Sequence, residues 1–218
     1  FMKNVYQPKL EIEKKLTEEG FERICGVDEA GRGPLAGPVV VAAVRMPWKN
    51  PSKIVEWIDD SKTLSEKKRE QLYLKIINIA QEYKIAVIDN FLIDEINILE
   101  ATKVGMKEVA AGMKESDAII SDAVKFEADI PVFPVIKGDF LSYNVAAASI
   151  VAKVTRDRMM RIFAEMYPEY GFERHKGYGT KAHIEAIGKF GLCPIHRITF
   201  CGKFVANNDK NDDPEKRF

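Results

Sequence analysis

Ile24-Cys25-Gly26-Val27-Asp28-Glu29-Ala30-Gly31-Arg32-Gly33-Pro34-Leu35-Ala36-Gly37-Pro38-Val39-Val40-Val41-Ala42-Ala43-Val44 is the stretch on which the architecture turns. Ile24–Asp28 reads as a brief apolar strand that ends in a carboxylate. Val39–Val44 has the apolar continuity of a buried strand. Between them, residues 30–38 hold too many glycines and prolines for regular structure, so a tight return joins the two strands.

Outward from this pair, Leu10 to Gly20 reads as a short amphipathic helix with a glycine stop. Asp60 to Ser65 is a polar loop, and Ser65 caps a helix from Lys67 to Ala80. Ile85–Ile88 is a strand, and Ile93 to Met113 is helical. Ala118–Ser121 is a strand ending at Asp122, and Val132–Ile136 is one ending near Asp139. Ser142 opens a long helix from Asn144 to about Met166. His175–Thr180 is a loop punctuated by glycine, and Lys181–Phe190 is the last clear helix. Strands in a row, then strands alternating with helices, predict an α/β fold: a mixed sheet with helices on both faces. The expected division is a helical lead (1–20), a catalytic core (21–165), a helical substrate-binding part (166–206) and a polar, mobile tail (207–218).

The 218 residues, 46% hydrophobic, suffice for one domain with a real core. No apolar run reaches bilayer length and no segment reads as a cleavable signal, so the cytoplasm is the expected location and no membrane partner is expected. Cys25, Cys193 and Cys201 lack paired spacing and read as reduced thiols, not a disulfide or zinc framework. Basic and acidic residues balance at 33 each, so any nucleic-acid binding must rest on a local patch.

Four acids, Asp28, Glu29, Asp122 and Asp139, fall where strands end or helices begin, each beside an apolar stretch. A carboxylate is costly to bury unless it is paired or bound to a cation. A lone Asp at a strand end is ordinarily a cap, and spacing alone leaves that reading open. The adjacent pair Asp28-Glu29 is harder to explain so, although alternation along a strand sends the two to opposite faces unless the chain bends at the glycines. Converging carboxylates without His or Cys suit Mg²⁺ or Mn²⁺. Two such ions form the usual clamp for in-line phosphodiester hydrolysis, one activating the attacking water and the other steadying the leaving oxygen.

Gly31-Arg32-Gly33 lets the backbone approach a phosphate or a sugar hydroxyl, though most such turns are only turns. Ser149, Lys153 and Arg156, spaced by four and three, share a helix face; a solvated charged face and a track for a phosphate backbone both fit. In His175-Lys176-Gly177-Tyr178-Gly179-Thr180, a tyrosine between glycines is either an exposed loop aromatic or a ring that meets a nucleotide. The three histidines, His175, His183 and His196, are too dispersed to suggest a metal triad, and His183 reads as a packing or capping residue.

The string Val27 to Val39 closely resembles the signature of the ribonuclease HII family. The resemblance continues through Asp60-Ser61-Lys62, Ser121-Asp122-Ala123, Lys137-Gly138-Asp139, Ala147 to Asp157, His175 to Thr180 and Pro194-Ile195-His196-Arg197. It implies a ribonuclease H-like fold with a five-stranded mixed sheet and a helical C-terminal part. It also implies a catalytic, metal-binding tetrad of Asp28, Glu29, Asp122 and Asp139, with Asp28 expected to bridge two Mn²⁺ or Mg²⁺ ions.

The implied activity is endonucleolytic hydrolysis of the RNA strand of RNA–DNA hybrids and nicking 5′ of single ribonucleotides in duplex DNA, leaving 3′-hydroxyl and 5′-phosphate ends, as ribonucleotide excision repair and DNA replication require. Gly31-Arg32-Gly33 and Tyr178 are implied to read the ribonucleotide junction through the 2′-OH. Ser61, Lys62, Ser149, Lys153 and Arg156 are expected as further nucleic-acid contacts. Gly191-Leu192-Cys193 departs from the small polar residues usual at that place in the family, and the tail supports no protein partner, a sliding clamp included. A monomer is expected. The competing readings are a junction resolvase, which needs no 2′-OH sensor, and a non-catalytic RNA-binding module.

Overall fold

The glycine- and proline-rich stretch returns the chain between two antiparallel strands. In this computed structural model, which describes residues 6–58, 61 and 64–205, β1 (Ile24–Ala30) pairs with β2 (Val39–Arg45) from Gly26↔Val44 to Ala30↔Val40. The strand runs two residues beyond Asp28, and the bend begins only at Gly31, whose φ is +102°. Strand β3 (Glu82–Ile88) continues the antiparallel ladder on β2, while β4 (Ala118–Asp122) and β5 (Val132–Val135) add in parallel on the other side of β1. The result is the expected five-stranded mixed sheet, in the order β3-β2-β1-β4-β5.

Every residue of β2 is buried, because helices cover both of its faces. Val40, Ala42 and Val44 pack beneath α2 (Glu66–Ile79) and α6 (Tyr143–Met166), while Val41 and Ala43 meet Met106, Val109 and Ala110 of α4 (Ile98–Gly112). Full burial of each Val, Ile or Met contributes about 1.5–3 kcal/mol. At the chain's start, α1 (Glu11–Glu18) lends Glu13 to the head of α6: its Oε1 accepts from the Ser142 hydroxyl at 2.7 Å and the Asn144 backbone N–H at 3.0 Å. Burial raises the Glu13 pKa above the usual carboxylate range.

Several elements differ from the sequence reading for reasons that lie outside local pattern. The helix expected over Ile93–Met113 is two helices, α3 (Asn90–Ile96) and α4, because Asn97 adopts φ +71° and its side chain caps α4 by accepting from the N–H groups of Leu99 and Glu100. Two short helices, α5 (Gly138–Leu141) and α7 (Phe172–His175), lie in stretches to which the sequence reading gave no helix. Lys181–Phe190, α8, is not the last helix. A further one, α9 (Ile198–Val205), is started by Asp94, whose carboxylate accepts from Ile198 N–H at 2.7 Å and Thr199 N–H at 3.0 Å. A separate apolar cluster of Tyr170, Phe172, Ile187 and Ile195 gathers this C-terminal region around Leu35, Ala36 and Met160. Among the described residues no helix is long and apolar enough to cross a membrane. Lys62 and the tail from residue 207 lie outside the described residues.

One contact sets the depth of the whole sheet against α6. A Cβ built on Gly26 would stand 2.2 Å from both Asn144 C and Val145 N, so β1 meets the first turn of α6 backbone to backbone. Gly26→Ala is therefore expected to cost about 3 kcal/mol or more, since neither partner is a movable side-chain tip. A denaturant midpoint unchanged in that variant contradicts the contact.

Candidate active site

Strands β1 and β4 run parallel with Val27 opposite Ser121, so the next residues, Asp28 and Asp122, leave adjacent strands side by side. Asp28 is only 5% exposed. Glu29, still on the β1–β2 ladder opposite Val41, reaches the same cleft. Across it, Lys137 in the left-handed conformation (φ +60°) turns the chain after β5, and Gly138 N–H donates to Asp122 Oδ1 at 2.8 Å. Asp139 follows in α5, buried one residue beyond that hydrogen bond and set back from the residues that line the opening.

The cleft measures about 230 Å³. It is lined by Asp28, Glu29 and Asp122, by Gly31, Arg32 and Gly33 of the glycine loop, and by Tyr178, Ser61, Ser149 and Lys153. The Ser61 and Ser149 hydroxyls are bonded at 2.8 Å, and Arg69 Nη1 holds the Ser61 carbonyl at 2.9 Å. Lys153 Nζ donates to Asp157 Oδ1 at 2.7 Å; burial lowers its pKa and Asp157 opposes that shift.

The carboxylates are electrostatically strained toward a cation. Burial, then the negative charges of Glu29 and Asp122, raise the Asp28 pKa well above the usual range, against the Ser149 hydroxyl and the Glu29 N–H (2.7 Å) that stabilise its charged form. Arg32 Nη1 approaches Glu29 Oε1 at 3.4 Å, the outer limit of such a contact. Among the described residues no three His, Cys, Asp or Glu side chains are already drawn around one point. The donor set nevertheless fits a hard divalent ion, because the side chains at the cleft floor are all carboxylates, no imidazole or thiol is on the wall, and a cation relieves the repulsion that Asp28 bears.

Two buried arginines shape the glycine loop. Arg156 was expected to follow a phosphate backbone, and the structure corrects this. It is 1% exposed, and its donors go to the carbonyls of Pro38, Lys176 and Ala36 at 2.9, 2.9 and 3.0 Å. Spacing put it on one helix face with Ser149 and Lys153, but that face passes from the cleft wall to beneath the loop. Arg197, fully buried, donates to Gly37 O and Arg32 O at 2.9 Å and to Gly31 O at 2.6 Å. Neither periodicity nor local charge marked Arg197 as part of the site; it lies 160 to 166 residues along the chain from its partners. Burial lowers the pKa of Arg156 to about 10 and of Arg197 to about 9, which leaves both charged at neutral pH. Tyr178 is 44% exposed, and its ring stands over Gly33, 3.7 Å from where a Cβ would lie.

Carboxylates gathered from the carboxyl ends of neighbouring parallel strands, in a mixed sheet of this order, define a metal-dependent nuclease of the ribonuclease H-like fold. Comparison with known proteins narrows the class. The family model for ribonuclease HII matches residues 25–203, so the chain belongs to the ribonuclease HII family; it is a ribonuclease H, an endonuclease acting on RNA–DNA hybrids. Ribonuclease HII of Ruminiclostridium cellulolyticum is 53% identical over 201 residues, 91% of this chain and 78% of that one. The crystal structure of ribonuclease H2 from Pyrococcus horikoshii is similar with a TM-score of 0.70 at 29% identity, covering 87% of this chain and 100% of that one. Ribonuclease HII of Archaeoglobus fulgidus, solved in a complex with PCNA, matches with a TM-score of 0.69 at 25% identity, over 81% and 94% of the two chains.

The arginine grip yields a contrast between neighbours in the site. Arg197→Lys is expected to lower stability by about 2–3 kcal/mol, because a single ammonium cannot satisfy three fixed carbonyls. Arg32→Ala, which removes a side chain 44% exposed, is expected to change it by less than about 0.5 kcal/mol. Equal denaturation midpoints for the two variants contradict the assignment.

Proposed function

We propose that this chain hydrolyses the RNA strand of hybrids in the carboxylate cleft and also nicks duplex DNA on the 5′ side of a single embedded ribonucleotide, leaving 3′-hydroxyl and 5′-phosphate ends. Asp28, Glu29, Asp122 and Asp139 are the residues that would hold two Mg²⁺ or Mn²⁺ ions. When bound, the ions supply an attacking water of lowered pKa and charge neutralisation at the leaving oxygen. Residues 21–165 act as the catalytic core, and 166–206 as the substrate-binding part that contributes Tyr178.

The observation that supports junction reading is the proximity of the acidic residues to a loop that offers backbone donors. Arg197 occupies the Gly31 and Arg32 carbonyls, whereas the N–H groups of Arg32 and Gly33 find no acceptor among the described residues. A sugar hydroxyl accepts such a donor, and only the 2′-OH distinguishes RNA from DNA at a given position. The Tyr178 ring over Gly33 gives the adjoining sugar an apolar surface beside it. The Ser61–Ser149 pair and Lys153, on the same wall, orient the strand by contacts to phosphate.

The deciding assay is cleavage of a DNA duplex carrying one ribonucleotide, with Mg²⁺ or Mn²⁺ and with chelator. A nick 5′ of the ribonucleotide that the chelator abolishes is the expected result; its absence, with longer hybrids still cut, removes the 2′-OH sensor and leaves the nuclease. Asp28→Asn and Asp139→Asn are each expected to lower kcat by about 100-fold or more while sparing duplex binding, because each removes charge from the cation site and no phosphate contact. Near-normal turnover of Asp139→Asn takes that residue out of the tetrad. For Tyr178→Ala, KM for the single-ribonucleotide duplex should rise about tenfold, with a smaller change on a long hybrid, as loss of one stacking contact implies.

A further inference from the structure

The three histidines, dispersed in sequence, meet in space directly behind Tyr178. The His175 and His183 rings stack with centroids 4.5 Å apart, and His183 Nε2 lies 3.0 Å from His196 Nε2. Phe172 closes the stack edge-on, its centroid 5.9 Å from His175 and 5.4 Å from His183.

The hydrogen bonds leave one arrangement of protons. A carbonyl only accepts, so the 3.0 Å contact of His183 Nδ1 with Tyr178 O places a proton on Nδ1. Burial lowers the His183 pKa to about 4, so the ring is neutral and its Nε2 is bare. His196 Nε2 must then carry the proton between the two rings. Its Nδ1 is correspondingly bare and accepts the Cys193 N–H at 2.9 Å. The opposite tautomer, with Nδ1–H facing Cys193 O at 3.3 Å, would set two bare nitrogens against each other at 3.0 Å. His175 follows the same logic: Nε2–H donates to Tyr170 O at 2.8 Å, and Nδ1 accepts the Gly177 N–H at 3.2 Å. Tyr178 N–H donates to the His175 carbonyl at 2.9 Å.

We infer that His175, His183 and His196 form a chain of neutral imidazoles with fixed tautomers that positions the Gly177–Tyr178 backbone, and hence the Tyr178 ring, against the substrate. The inference rests on the proposed role of Tyr178 at the ribonucleotide junction. Through this chain Cys193, on the loop after α8, dictates where the His196 proton sits and whether His183 can hold Tyr178 O. These are positioning residues: none of the three rings lines the cleft. The arrangement gives His183 a function that packing or capping alone does not require, since a phenyl ring would fill the stack but bind no carbonyl.

The test has a spectroscopic arm and a kinetic arm. In the full chain labelled with ¹⁵N-histidine at neutral pH, the His183 ring is expected to carry its proton on Nδ1, and the His175 and His196 rings on Nε2. A charged ring, or the reverse tautomer at His183 or His196, overturns the proposal. For kinetics, His196→Leu removes the donor to His183, whereas His196→Gln keeps an amide N–H at that place. On the single-ribonucleotide duplex with Mn²⁺, His196→Leu is expected to raise KM about tenfold with kcat changed less than about twofold, as loss of one buried hydrogen bond implies, and His196→Gln to recover most of it. Equal impairment of the two variants, or a fall in kcat at unchanged KM, overturns the positioning role. Tyr178→Ala measured alongside separates the two readings. An unchanged KM there sinks the Tyr178 contact and this proposal with it; a raised KM with normal His196→Leu kinetics sinks the proposal alone. If His196→Leu does not fold, the tautomers of the unaltered chain and the His196→Gln kinetics decide between the same outcomes.

Discussion

The active-site geometry depends on the direct backbone contact between β1 and α6. At Gly26 nothing separates the strand from Asn144 and Val145, and from there strand and helix run the same way. Two strand residues advance about 6.6 Å and four helical residues about 6 Å, so Asp28 arrives at Ser149 in step. The register carries onward to Gly31, where a Cβ would stand 2.1 Å from Arg156 Nε. Helix α6 is thus a straight edge against which the catalytic strand and its loop are measured. Its own start is fixed by Glu13 and Ser142. A side chain at Gly26 would lift Asp28, the glycine loop and the buried arginine contacts together.

Along this edge the protein places opposite electrostatic problems next to one another. In the cleft, burial and then the repulsion of Glu29 and Asp122 raise the Asp28 pKa. Beneath the loop lie two guanidiniums, and burial, then the charge of Arg156, depress the Arg197 pKa. The solutions differ. The arginines are satisfied by carbonyl dipoles, which neutralise nothing but supply hydrogen bonds in a fixed fork geometry. Asp28 has the Ser149 hydroxyl and the Glu29 N–H, Asp122 has the Gly138 N–H, and Arg32 approaches Glu29 at 3.4 Å. The loop's Gly31 and Arg32 carbonyls are held as folded, whereas burial and the charges of Glu29 and Asp122 weigh on Asp28, and that asymmetry marks the acidic half as the one suited to cations.

How far the sequence was readable follows the range of each interaction. The strands, the Ser65 and Ser142 caps and α8 are encoded locally, and they lie where the pattern put them, β1 and β3 being longer by two and three residues. Asp28, Glu29 and Asp122 were visible because an acid at the end of an apolar run is costly, and that local oddity survives without knowledge of the fold. Arg156 was misjudged because helical spacing says which residues share a face and not what covers it. The grip of Arg197 on the glycine loop, the Asp94 cap of α9 and the stacking of the histidines were not visible from pattern. Each joins segments brought together only by folding, across 104 residues in the case of Asp94 and Ile198. Asn97 broke the expected long helix through a positive φ that an Asn side chain stabilises but does not demand.

The balance of charge in the chain acquires a structural meaning here. Cations on or near α6 are already engaged: Lys153 by Asp157, Arg158 and Arg161 by Glu70 and Glu66, and Arg156 by carbonyls. Of these only Lys153 also lines the cleft. A surface of that kind does not attract nucleic acid strongly through net charge, which is the sequence-independent term in binding. On the proposed reading, recognition falls to short-range groups held in fixed positions, namely the N–H groups of the glycine loop and a tyrosine whose backbone is bonded on both sides. On the proposed reading, an enzyme that finds a single 2′-OH in a long polyanion gains from this economy. Charge would hold every phosphate alike, whereas a rigid amide at the cleft meets only the sugar that offers it an acceptor.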